Sequence, residues 1–351
     1  MKSVDLLREV IRIPSESRNE DAVVARLESA MRELGLSPKV SGKNLTAMLD
    51  GGDGPLLLLN SHTDTVPVGL GWTRDPLAAN IEDGKIYGRG SNDAKGCLVA
   101  MILAAQKAFQ TNAPKGRVLI AASCEEEVLG QGLEKLLPEL PKPDAAVVGE
   151  PTGLKAAVAQ KGLLLLEIIA SGRSAHAAHG GGVNAVEAAA RDVLALSKLQ
   201  IPGAHPALGA TSLHVTKISG GDRHNVIPDQ CKIVVDIRTI PSVSPEEIID
   251  IVKRHVEGEV TIRSNRLGSV ETNPSHAIVK AALAANPAGV AYGSPTLSDW
   301  VFLKGIPTVK AGPGDSKRSH TPDEYLEVAE LEAGVDFYEK LIRSYFSQAA
   351  S

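Results

Sequence analysis

Apolar residues recur at three- and four-residue intervals over residues 3–13 and 19–35. That spacing predicts two amphipathic helices, separated by Pro14-Ser15-Glu16-Ser17. Residues 38–50 read as strand. The pattern then changes at Leu56, where four leucines follow Gly54-Pro55 without a polar interruption. A short continuous apolar run predicts a strand buried on both faces, as in a parallel sheet. The run stops abruptly at His62-Thr63-Asp64. Alternation places His62 and Asp64 on one face, at the strand end where open α/β sheets hold their ligands. A Gly-, Trp- and Pro-rich loop spans residues 69–76, and a helix is predicted from Gly96 to Phe109. Two further apolar strands, 117–123 and 144–148, run into Cys124-Glu125-Glu126-Glu127 and Gly149-Glu150.

From Gly162 the order becomes strand (LLLLEIIASG), alanine-rich helix (184–199), two alternating strands (211–219 and 230–239), helix and strand (259–263). Ser244-Pro245-Glu246-Glu247 opens that second helix with a capping box. The β-α-β-β-α-β order predicts a ferredoxin-like domain of roughly one hundred residues. Helix 276–285, strand 306–311 and an amphipathic helix from about Leu326 then resume the α/β alternation. The fold class is therefore α/β: a mixed-sheet domain, 1–161 with 266–351, into which a ferredoxin-like α+β domain, 162–265, is inserted.

Composition narrows the picture little. With 43% hydrophobic and 23% charged residues the chain reads as an ordinary globular protein. A net charge of −5 gives no basic field for nucleic acid or an anionic membrane. Cys97, Cys124 and Cys231 are scattered and odd in number, so no disulfide framework is expected. No signal peptide or membrane span is read, and the expected location is cytoplasmic.

The chemistry concentrates at five positions. GRGSNDAKG (88–96) has three glycines, but Asp93 stands where a dinucleotide fingerprint needs glycine, and no Gly-Lys-Ser/Thr follows. Asp93 alone would pass for a helix cap, and Glu125 to Glu127 for a solvated acidic run. However, three adjacent acids at the end of a buried strand repel one another unless a cation sits among them. His62, Asp93, Glu127, Glu150 and His320 together offer two imidazoles and three carboxylates. That set suits zinc, with cobalt or manganese as alternatives. Five ligands are too many for one catalytic zinc with an open position. Two metals sharing a carboxylate, ~3.5–4 Å apart, accommodate them. His179, His205, His214, His224, His255 and His276 are read as structural or solvated.

The segments SHTDTVP, GRGSNDAKG, CEEEVLGQG, VVGEPTG, GRSAHAAHG, NVIPDQCKIVVDIRTIP and GPGDSKRSHTPDEY occur in one order along nearly the whole chain. In this they resemble the di-zinc aminoacylase/carboxypeptidase family, which includes acetylornithine deacetylase, succinyl-diaminopimelate desuccinylase and glutamate carboxypeptidases. The resemblance implies a zinc-dependent amidohydrolase. His62 and Glu150 would hold one metal, Glu127 and His320 the other, with Asp93 bridging and followed by a cis peptide. Glu126 would be the general base and Asp64 the partner of His62. The inserted domain would be a lid and a homodimer contact, its His176 reaching the partner's active site to steady an oxyanion. Asn225 and Arg238 would bind the substrate α-carboxylate, unless Arg238 is engaged in a salt bridge with Asp236. Two departures are Glu125, where the family usually has aspartate, and Gly180, where proline is common.

SPTLSDW (294–300) and GPGDSKRSHTPDEY are most similar to the acetylornithine and acetylcitrulline deacetylases of arginine biosynthesis, acetylornithine being the default. Asp299 is a potential partner for ornithine's ammonium. Desuccinylation of diaminopimelate and dipeptide or carboxypeptidase cleavage are the alternatives within the class. A non-catalytic metal- or ligand-binding module is the alternative outside it, opposed by the unligated acid Glu126 beside Glu127.

Overall fold

The structure is a computed structural model that describes residues 1–110, 112–128 and 130–349. The chain divides into two compact units. Met1–Val158, Thr272–Tyr292 and the described residues from Ser298 form the larger; Ala159–Glu271 and Gly293–Leu297 form the smaller. Residues 266–271 and 293–297, which the apolar pattern assigns to the larger domain, cluster with the smaller unit. Val270 and Glu271 pair with Gln160 and Ala159, and Lys161 N donates to Ser294 O at 3.0 Å.

In the larger unit, helices α1 (Ser3–Ile11) and α2 (Asp21–Glu33) precede strands β1 (Pro38–Ser41), β2 (Asn44–Asp50) and β3 (Leu56–His62). The single strand expected over 38–50 is a hairpin, because Gly42 takes a positive φ of 57° and turns the chain between Ser41 and Asn44. Helix α3 (Lys95–Gln110), β4 (Arg117–Ser123), β5 (Ala145–Val148) and β6 (Ala156–Gln160) follow, the last two residues of β6 already belonging to the smaller unit. The pattern misses β6: AAVAQ is short and has no period to read.

The smaller unit is β7 (Gly162–Ser171), α4 (Ala185–Lys198), β8 (Ser212–Gly220), β9 (Gln230–Thr239), α5 (Pro245–Lys253) and β10 (Glu259–Leu267). Its antiparallel sheet has the order β8-β9-β7-β10, the ferredoxin-like arrangement. β7 alternates buried and half-buried residues along most of its length, so one face packs against apolar residues of α4 and α5. The Ser244 hydroxyl and the Glu247 carboxylate close the expected capping box on α5.

The chain returns to the larger unit with α6 (Ala277–Ala285), β11 (Thr308–Lys310) and α7 (Val328–Ala349). The large sheet runs β1-β2-β4-β3-β5-β11-β6 and is mixed. β3 lies between β4 and β5, parallel to both, and all seven of its residues are buried. That is why its leucines are uninterrupted: neither face meets water. All three cysteines are free and buried. No helix among the described residues is long and apolar enough to cross a membrane.

Candidate metal centre

Parallel pairing decides where the acids emerge. His62 stands opposite Ser123 of β4, and Asn60 opposite Val148 of β5. The segments leaving β3, β4 and β5 therefore deliver His62 with Asp64, Glu126 with Glu127, and Glu150 to one sheet edge. Asp93 joins them just before α3, and the Asp93-Ala94 peptide is cis, as the resemblance implies. His320 arrives from the loop before α7.

The five predicted ligand residues converge. His62 Nε2 lies 3.5 Å from Asp93 Oδ1 and 3.9 Å from Glu150 Oε1. The other oxygen of Asp93, Oδ2, is 3.5 Å from His320 Nε2, which is 2.9 Å from Glu127 Oε2. Asp93 thus faces one imidazole with each oxygen. His62 Nε2 is buried yet has no hydrogen-bond partner among the described residues, an orphan that a cation would satisfy. Atoms from His62, Asp93 and Glu127 lie within 4.8 Å of one another. The donor set, oxygen and imidazole nitrogen without thiolate, fits one or more divalent cations.

Asp64 does more than orient His62. The nearest partner of His62 Nδ1 is the Asp64 carbonyl oxygen at 3.0 Å, with the carboxylate Oδ1 at 3.4 Å. The carboxylate also accepts the backbone N–H of Glu126 and of Glu127, each at 3.1 Å, and the Ser17 hydroxyl at 2.6 Å. Glu125 N donates to the buried Glu20 at 3.2 Å, and Cys124 N to Asn44 at 3.0 Å. The acidic turn is held by its backbone, which leaves its carboxylates for chemistry.

The electrostatics follow from crowding. Burial pushes the Glu126 carboxyl well above the usual range; His62 opposes this while Glu150, Asp299 and Glu127 add to it. Glu150 is pushed up to about 8 by burial and by Asp93, against His62 and Lys310. Burial depresses His62, but its contacts with Asp64 and Asp93 outweigh that and raise it well above its ordinary value. Several carboxylates at one edge disfavour one another's ionised forms, and a cation among them reverses that preference.

Some residues here escape the sequence reading. Glu324, four positions after His320, accepts the N–H of Asn92 and Asp93 through Oε1 at 2.9 and 3.0 Å. Its Oε2 accepts Arg89 Nη1 at 2.7 Å. Lys310 on β11 is buried, and its charge favours the ionised form of Glu150. Both lie in or beside quoted motifs, but nothing in their spacing marks a role. Asp299 is 4% exposed, and its Oδ2 accepts the Ser123 hydroxyl at 2.5 Å. Its carboxylate is therefore bonded within the protein.

His176, Asn225 and Arg238 belong to the smaller unit. His176 is exposed, its ring lies tilted against that of His179 with centroids 5.0 Å apart, and its Nδ1 accepts Ala178 N at 3.1 Å. Asn225 O accepts Ala177 N at 3.0 Å, so the two segments are joined. Arg238 is engaged by Asp236, which takes Nε at 2.8 Å and Nη2 at 3.1 Å.

The sequence profile of peptidase family M20/M25/M40 matches residues 58–344. The chain is 30% identical over 378 residues to acetylornithine deacetylase of Proteus mirabilis, covering 97% of this chain and 96% of that protein. It is 31% identical to acetylornithine deacetylase of Shigella sonnei, covering 92% of each. Among solved structures, aminopeptidase PepT of Bacillus cereus superposes with a TM-score of 0.80 at 22% identity, over 98% of each chain. The YXEP protein of Bacillus subtilis, described as a dinuclear metal-binding M20 peptidase, gives 0.75 at 18% identity, over 97% of this chain and 96% of that one.

Proposed function

This chain belongs to peptidase family M20/M25/M40, and from that premise we propose that it removes the acetyl group from N-acetylornithine. It is a metal-dependent hydrolase of amide bonds. The observation that carries the reading is Asp93, whose two oxygens face His62 and His320 at 3.5 Å each.

In this reading His62 and Glu150 would hold one divalent cation and Glu127 and His320 the other, with Asp93 available to both; zinc would be preferred by the two imidazoles, and cobalt or manganese would serve. Such a pair, when bound, supplies Lewis acidity and lowers the pKa of water from 15.7 towards ~7. Glu126 takes the proton from the attacking water and gives it to the leaving amine. Asp64 holds both the His62 ring and the backbone of Glu126, so base and ligand keep one spacing. His176 of a partner subunit steadies the developing oxyanion, and Asn225 and Arg238 take the α-carboxylate. The homodimer this needs forms through the smaller unit, where β8 is an edge strand with mostly exposed residues. A place in arginine biosynthesis, in the cytoplasm, follows from the substrate.

Asp299 bears on the choice of substrate. Its bond to Ser123 withdraws the carboxylate considered for ornithine's ammonium. That keeps N-acetylcitrulline, with its neutral ureido group, as the second reading. Initial rates on N-acetylornithine, N-acetylcitrulline, N-acetylmethionine and succinyl-diaminopimelate decide. N-acetylornithine is expected to be fastest. If zinc- or cobalt-loaded protein hydrolyses none of these amides and no dipeptide, the binding-module alternative gains instead.

A further inference from the structure

Two loops supply the paired sides of the centre: Asn92-Asp93, and Asp315 to Glu324 with His320 at its middle. Asn92 already joins them. Its Nδ2 donates to Asp315 O at 3.1 Å and to Ser319 Oγ at 3.3 Å, and its Oδ1 accepts Asp315 N at 3.0 Å. Those bonds are partly buried. Deeper in, Glu324 is 1% exposed and Arg89 4%.

The geometry of Glu324 is unusual in how its oxygens divide. Oε1 receives the backbone N–H of Asn92 and of Asp93, at 2.9 and 3.0 Å, while Oε2 receives the Arg89 guanidinium at 2.7 Å. Arg89 is fixed in turn by the Val68 carbonyl at 3.1 Å and by stacking over Trp72 at 5.1 Å. The Glu324 carbonyl belongs to the same locality, accepting Gly88 N at 2.9 Å. The side chain therefore ties Asp93 to the segment that carries His320, four residues earlier.

We propose that Glu324, held by Arg89, is a positioning residue for metal binding: it clamps the Asp93 backbone to the His320 loop so that Asp93 meets His62 and His320 together. The proposal rests on the metal-centre reading above but not on the identity of the substrate. The hydrogen bond of Glu324 to Asp93 goes to the Asp93 main chain, and it is through that main chain that it acts. Only a carboxylate can accept on both ends, since an amide has one accepting oxygen and one donating nitrogen. Glu324→Gln, nearly identical in shape, must therefore point its NH2 either at Arg89 or at the Asn92 and Asp93 amides. Groups of this kind around a metal typically change affinity by about 10–100-fold when altered.

The test is a cobalt(II) titration of chelator-stripped protein, followed by the visible absorption of the bound ion. Glu324→Gln is expected to bind cobalt about 10–100-fold more weakly than the native protein. The double variant Arg89→Gln with Glu324→Gln removes one of the two competing demands, so the introduced amide oxygen is free to accept the Asn92 and Asp93 amides. Recovery of most of the lost affinity in the double variant is expected, and a residue that merely stabilised the fold would not give it. Where the single variant does not fold, the double variant is compared with Arg89→Gln together with Glu324→Leu, which has no acceptor and is expected to bind about 10–100-fold more weakly. Native cobalt affinity in folded Glu324→Gln, or in the Leu variant, overturns the proposal. The readout is a ratio of affinities, so it decides the clamp even if the native protein cleaves no N-acyl amino acid.

Discussion

Asp64 Oδ1 accepts the backbone N–H of Glu126 at 3.1 Å, although the two residues are 62 positions apart in the chain. Through this bond the end of β3 fixes where the proposed base begins. The same carboxylate accepts Glu127 N and lies beside His62 Nδ1, so one side chain sets the spacing of base and ligands. Asp64→Asn keeps one accepting oxygen and turns a donor towards the other N–H. We expect kcat/KM for N-acetylornithine to fall about 10–100-fold, with the protein still folded by circular dichroism. Unchanged kcat/KM would remove Asp64 from the account.

Glu126 has a different signature. It is half-buried among like charges and is not one of the five predicted metal ligands. Glu126→Gln should lower kcat by about 10²–10⁴-fold, the range for losing a general base. Its zinc content, measured by atomic absorption, should match the native protein. Full activity would rule Glu126 out as the base.

Asp299 gives a pH signature. Burial raises its carboxyl to about 6 from 3.8, with the Ser123 hydroxyl and His62 opposing. The folded protein therefore keeps a proton that the unfolded chain releases, and stability falls as pH rises. The contribution is complete below pH 3.8 and gone once pH passes about 6. Asp299→Asn cannot titrate, so urea unfolding of chelator-stripped protein should show its stability gaining on native between these limits. The relative gain is on the order of 3 kcal/mol for a shift of this size. A constant difference across that range would contradict the assignment.

The smaller unit has its own buried carboxylate. Asp192 on α4 is 2% exposed and accepts Glu257 N at 2.8 Å and Gly258 N at 3.0 Å. Asp192→Ala leaves two amides without that partner and should destabilise the protein by about 1–3 kcal/mol in thermal unfolding. An unchanged melting temperature would show that water replaces the bond.

Much of this was legible beforehand because the signals are local. The leucines of β3 announce a strand buried on both faces, and parallel neighbours oblige the next two strands to end at the same edge. The capping box of α5 and the alternation of β8 and β9 predict a ferredoxin-like unit without reference to any ligand. What stayed hidden depends on side-chain direction. Arg89 and Glu324 meet across 235 residues, and a glutamate in an exposed-looking PDEY stretch gives no sign that it will be buried. Asp299 illustrates the same limit: its type suits a substrate's charge, yet Ser123 engages it. The Asp236 partner of Arg238, two residues away, is the alternative that the sequence does offer. The hairpin within 38–50 turned on a single glycine, which an apolar pattern does not weigh.

The central claim is that Asp93 serves two cations at once. Chelator-stripped protein should take up two cobalt or zinc ions per chain at saturation, counted by inductively coupled plasma spectrometry after desalting. Asp93→Ala should retain at most one. A native stoichiometry of one or none, or a folded Asp93→Ala protein that still holds two, would contradict it.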